Sequence, residues 1–135
     1  MTSFLQPLLG KASGHCAIVN SRTGLVLADD LIRAFDSAAR RTGLLKHRGL
    51  PPGSAMIIAP SNAIHTFFMK FPIDIAFVGR DGRVRKIREA LPPWRMSAAL
   101  RAYAVIELPA GAIQRSGTVA GDTLVIRSLD RSASA

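Results

Sequence analysis

The chain holds one cysteine, one tryptophan and one tyrosine in 135 residues, and nine acidic residues against eighteen basic ones. A single cysteine cannot close an internal disulfide, so stability must come from packing. Cys16 lies in the apolar run Cys16-Ala17-Ile18-Val19 and reads as a core thiol. No apolar run approaches the roughly 20 residues of a membrane helix, so no transmembrane segment is expected. Residues 1–14 carry no early positive charge and only a short apolar patch, a poor match to a secretory signal. Ser13-Gly14-His15-Cys16 lacks the hydrophobic lead-in of a lipoprotein cleavage site. A cytoplasmic protein is the expectation. Reaction signatures are missing too: there is no Gly-x-Ser-x-Gly elbow, Walker loop, His-Glu-x-x-His or cysteine pair. His15, His47 and His65 lack metal-ligand spacing. Neither a cofactor nor a metal is expected.

What is present is a core. Forty-eight per cent of the residues are apolar, which excludes a disordered chain. The length fits one domain over residues 1–135, with a frayed Ser-Ala tail at 132–135. The net charge of +9 raises nucleic-acid binding as one reading, but the arginines are scattered from Arg22 to Arg131. In the densest cluster, Arg83 and Arg85 would share one strand face while Lys86 and Arg88 share the other, which does not make one stripe. Few aromatics are left to stack bases.

Short period-2 segments dominate the pattern. Segments 16–19 and 25–28 flank a hairpin loop at 20–24, and 31–35 is a third apolar segment. Asp36 reads as an N-cap, with one short helix behind it to about Lys46, stopped by Gly49 and Pro51-Pro52-Gly53. Strands are expected at 55–59, 64–68 and 73–78, followed by a hairpin from 76–78 to 84–87 across Gly79–Arg83. A helical turn at 97–101 and strands at 103–108 and 123–126 complete the set. The fold class is mainly β: a compact β-sandwich or partly closed barrel of short strands with one short helix, about 36–46.

Four blocks carry a family resemblance. They are Arg40-Arg41-Thr42-Gly43-Leu44-Leu45 with Arg48 and Leu50; Gly53-Ser54-Ala55-Met56-Ile57-Ile58; the stretch 64–78 with Met69-Lys70 and Pro72-Ile73-Asp74-Ile75-Ala76-Phe77; and Glu107-Leu108-Pro109-Ala110-Gly111 followed by Gly121-Asp122. In order, over about 31–127, they resemble the domain of unknown function 192 family of bacteria and archaea. The chain departs from that pattern at Leu45, at Ser54-Ala55 and at Phe71, where the family usually has methionine, no insertion and asparagine. The resemblance implies a compact, mainly β fold, many of whose members are exported, and no known reaction.

The residues that could carry function are polar groups set among apolar ones. Asp74 sits inside the run 73–78, where an unpaired carboxylate is costly, so it needs a partner: backbone N–H groups, or Arg40 or Arg48. His65 is a residue type suited to moving protons near neutrality. Lys70 offers a cation near Asp74, and Trp94-Arg95 on a proline-led loop suits a carbohydrate or an anion. Arg40 and Arg48, two helical turns apart, could clamp a carboxylate or phosphate. The leading reading is a non-enzymatic binding module whose patch of His65, Lys70, Asp74, Trp94, Arg95, Arg40 and Arg48 recognises an anionic or carbohydrate-like ligand or a protein partner. The alternative is a small hydrolase with Asp74 and His65 as acid and base, assisted by Glu107 or Asp122. A nucleic-acid binder is the third reading, and steep salt dependence would distinguish it.

Overall fold

The computed structural model describes residues 3–9, 15–44 and 47–129. A 3-10 turn at Gln6–Leu8 precedes β1 (Cys16–Asn20), β2 (Val26–Ala28), β3 (Asp30–Ala34), α1 (Ser37–Thr42), β4 (Ser54–Ile58) and β5 (Ala63–His65). Then come β6 (Ile73–Val78), β7 (Val84–Leu91), β8 (Met96–Ala98), β9 (Ala104–Pro109), α2 (Ala112–Ser116) and β10 (Leu124–Ser128).

A five-stranded sheet in the order β3-β4-β9-β6-β7 forms the centre, with β3 parallel to β4 and the other pairs antiparallel. Its inner strands β4, β6 and β9 are buried on both faces, which is why they read as continuous apolar runs. Alternation then sends successive side chains to two separate cores. Ile57, Ala76, Val78, Ile106 and Leu108 pack toward the three-stranded sheet β10-β1-β2, α2 and Leu5. Met56, Ile75, Phe77 and Val105 pack toward Leu44, Met69 and α1 on the opposite face. The fold is the mainly β sandwich that the strand pattern predicts, and the described residues form no closed barrel.

Four local expectations are corrected. The helix ends at Thr42, because Gly43 (φ 49°) turns the chain and donates its N–H to the Ala39 carbonyl. The proposed continuation through Leu45 and Lys46 lies outside the described residues. The strand expected at 64–68 stops at His65, where Thr66 enters a loop. The helical turn expected at 97–101 begins instead as β8, paired antiparallel with β5, and only residues 99–102 make a turn, closed by the Ala102 N–H on the Ala99 carbonyl at 3.0 Å. A second short helix, α2, follows the turn at Pro109-Ala110-Gly111.

Candidate functional site

Asp74 is fully buried, and its oxygens accept the backbone N–H groups of Ala90 (2.8 Å), Gly111 (3.0 Å) and Ile113 (3.0 Å). Ala90 has φ 48° at an irregularity in the β6–β7 pairing, so the carboxylate satisfies a donor that the ladder leaves over. Gly111 and Ile113 lie at the start of α2, where helix N–H groups lack intrahelical partners. Asp74 is thus held by backbone donors rather than by Arg40 or Arg48, and it joins the end of β7 to the start of α2.

The opposite face of the sheet holds a cleft of about 370 Å³ between α1, the segment Ile58–Ser61, β5 and Met69. Glu107 lies in its lining, directly across from Met56 on β4 and Ile75 on β6. The side chain is buried, and its Oε2 has no hydrogen-bond partner among the described residues. Burial in this apolar setting pushes the carboxyl pKa up to about 8, so near neutrality it is mostly protonated and able to donate. Arg40, Arg41 and His65 line the same cleft. Asp36 caps α1 by accepting the Ala39 N–H at 2.7 Å, which sets the helix that carries both arginines. Arg40 donates to the Phe35 carbonyl at 2.7 Å and to Ser37 Oγ at 3.4 Å, while Arg41 is exposed.

His65 also begins an aromatic row. Its ring stacks on Phe67 at 4.9 Å, Phe67 lies 5.9 Å from Trp94, and Trp94 meets Phe68 edge-on at 4.7 Å. His65 Nδ1 accepts the Phe67 N–H at 3.3 Å. The structure therefore brings together His65 and Arg40 in the cleft, and connects His65 through Phe67 to Trp94. Arg95 is exposed beside Trp94 and donates to its carbonyl at 3.4 Å. Lys70 is exposed on the turn before β6 and forms no ion pair with Asp74. Arg48 is exposed and outside the cleft lining.

The acid–base combinations are not assembled. Asp74 alternates with Ile73 and Ile75 and faces α2, whereas Glu107 and His65 lie on the other side of the sheet. No hydrogen bond joins His65 to Glu107 among the described residues. Asp122, in the turn before β10, accepts from Arg22 Nε (2.7 Å), Asn20 Nδ2 (2.9 Å) and the Val119 N–H (2.9 Å). The Arg22 guanidinium, aided by Asn20 and Val119, holds its carboxyl well below the usual carboxylate range.

The basic cluster is likewise divided. Arg85 pairs with Asp81 at 3.2 Å, Lys86 donates to the Ala98 carbonyl at 2.9 Å, and Arg80 lies over the Tyr103 ring at 4.2 Å. Sequence reasoning missed Arg41, Phe67 and Phe68, and treated Glu107 only as an assistant to Asp74. The signal for Glu107 was its place in the apolar run Val105-Ile106-Glu107-Leu108, the same signal that singled out Asp74.

These features define a small β-sandwich domain with a cation-rimmed cleft: Arg40 and Arg41 on a short helix above the buried carboxyl group of Glu107. The chain belongs to the DUF192 family, described as Uncharacterized ACR, whose model matches residues 19–126. Two solved structures are similar to it. One is a protein of unknown function from Novosphingobium aromaticivorans, 26% identical, with TM-score 0.70 and 82% of each chain covered. The other, described as a proposed transcription regulator from Sinorhizobium meliloti, is 24% identical with TM-score 0.71, covering 82% of this chain and 91% of that one. At that identity the second likeness shows the fold alone. No curated protein matches the chain.

Proposed function

We propose that this domain is a non-enzymatic, cytoplasmic binding module whose cleft takes an anionic, carbohydrate-like ligand of the sugar-acid or sugar-phosphate class. The observation that carries the reading is Glu107: a buried carboxyl with an oxygen unpartnered among the described residues, in the lining of a cleft large enough for a small molecule. An orphaned buried polar group costs stability, and a ligand hydroxyl or carbonyl that accepts its proton removes that cost. Arg40 and Arg41 supply positive charge for the ligand's acidic end, and the His65 ring, backed by Phe67, offers a flat face to a sugar ring. Binding rather than turnover fits a cleft whose histidine and carboxyl share no hydrogen bond.

The test is calorimetric titration of wild type, Glu107→Leu and Arg41→Ala with glucuronate, gluconate and glucose 6-phosphate. Wild type should bind at least one of them. Glu107→Leu should melt at a higher temperature, having lost an unpaired polar group, yet bind at least tenfold more weakly. Arg41→Ala should weaken binding without changing the melting temperature. Unchanged affinity in Glu107→Leu would remove the carboxyl from the site, and no heat with any sugar acid or phosphate would overturn the ligand class.

A further inference from the structure

Beside the cleft, Phe68 and Trp94 point out of the surface. They are 69% and 56% exposed, and their rings support each other at 4.7 Å. Both have left-handed backbone, φ 66° and 67°, which bulky residues rarely adopt. Thr66, fully buried, holds both turns in place. Its carbonyl accepts the N–H groups of Met69 (3.2 Å) and Trp94 (3.0 Å), and its own N–H donates to the Arg95 carbonyl at 2.8 Å. Its hydroxyl donates to the Pro92 carbonyl at 2.7 Å and accepts the Arg95 N–H at 2.9 Å. The two aromatic side chains are thus presented on a braced support, and Met96, 71% exposed, lies across from His65 in the next strand.

Exposed cations flank this ridge: Arg95 follows Trp94, and Lys70 lies two residues beyond Phe68. Neither forms an ion pair among the described residues. A second copy would bring like charges together on a chain already at +9. A stable protein interface buries about 800 Å² on each side, more than the three exposed side chains Phe68, Trp94 and Met96 offer. Aromatic side chains at a bilayer's headgroup level, with lysine and arginine on the phosphates, match both the exposed rings and the charge. We propose that the Phe68–Trp94 ridge inserts into the interface of an anionic lipid bilayer, with Lys70 and Arg95 on the lipid phosphates. The proposal does not depend on the cleft being a ligand site.

Trp94 is the only tryptophan, so its emission reports on the ridge directly. The full chain is titrated with phosphatidylcholine vesicles and with vesicles containing about one third phosphatidylglycerol, an anionic content chosen to give a substantial surface potential. The expected result is a blue shift and co-sedimentation with the anionic vesicles only, reversed at ~0.5 M salt, where charges beyond a few ångströms are screened. Phe68→Ser with Met96→Ser, and separately Lys70→Glu with Arg95→Glu, should each weaken vesicle binding at least tenfold while keeping the wild-type melting temperature. Absence of a shift with anionic vesicles overturns the proposal, as does an equal shift with neutral ones. A shift induced by soluble glycerol phosphate alone also overturns it, by assigning the ridge to a soluble anion.

Discussion

At the residue scale, the two buried carboxyl groups on adjacent strands have opposite situations. Asp74 has three backbone donors, whereas Glu107 Oε2 has none among the described residues. Asp74 is therefore a structural residue. In Asp74→Asn, an acceptor is replaced by an NH₂ group facing donors, and the remaining oxygen is uncharged. Hydrogen bonds to charged groups contribute about 1.5–3 kcal/mol each, so the substitution should cost about 3 kcal/mol, measurable by urea denaturation. A loss below about 0.5 kcal/mol, the scale of an ordinary surface substitution, would contradict this role. The need for a partner at Asp74 was legible in the sequence, because an acid inside an apolar strand must be satisfied. The partners were not: their N–H groups lie 16, 37 and 39 residues further on. The same criterion applied to residues 104–108 would have drawn attention to Glu107.

At the element scale, the start of β7 joins the two sheets. Leu124 donates its N–H to the Gly82 carbonyl and Val84 donates to the Asp122 carbonyl, both at 2.8 Å, while Arg83 bridges to Thr123. Gly82 has φ 86°, and an added Cβ there would collide with the Leu124 carbonyl oxygen and press on Phe4. Gly82→Ala combines left-handed strain with a backbone clash, so a loss of at least about 2 kcal/mol is expected by thermal or chemical denaturation. Gly24→Ala is the control: it has similar φ but open space around it, and should lose less. The Gly79–Arg83 hairpin itself was legible from its Asp-Gly turn between apolar segments. The shortness of β5 was not, since Ile64–Phe68 has strand composition throughout and it is the buried hydrogen bonds of Thr66 that draw the chain into a loop.

At the scale of the whole molecule, pH should act on stability from both sides. Glu107 has its folded pKa raised from 4.5 to about 8, so the folded state holds a proton that the unfolded chain releases. Its contribution is greatest below about 4.5 and is lost progressively as pH rises through about 8, by up to a few kcal/mol at roughly 1.4 kcal/mol per pH unit. Asp122 has the opposite sign: its folded pKa is depressed, and its contribution is present above the ordinary aspartate range and lost as pH falls below it. The melting temperature should therefore decline from pH 5 to pH 8 in wild type. Glu107→Gln should remove that decline and leave the acid limb unchanged. An identical alkaline decline in the variant would show that Glu107 is not its source.

What the sequence determined by itself was the mainly β class, the strand sequence around the central hairpin, the N-cap of α1 and the family. These rest on local periodicity, turn chemistry and motif order, all of which lie within a few residues or along the chain. The tertiary structure alone decided which polar residues meet. A two-residue strand period fixes only which side chains share a face. Sheet order and the packing of helices then decide that Asp74 faces α2 and Glu107 faces the cleft. The union of His65 with Arg40 and Arg41 in one cleft, and of Phe68 with Trp94 in one ridge, depends on pairing across long loops, whose closure leaves no periodic trace in the sequence.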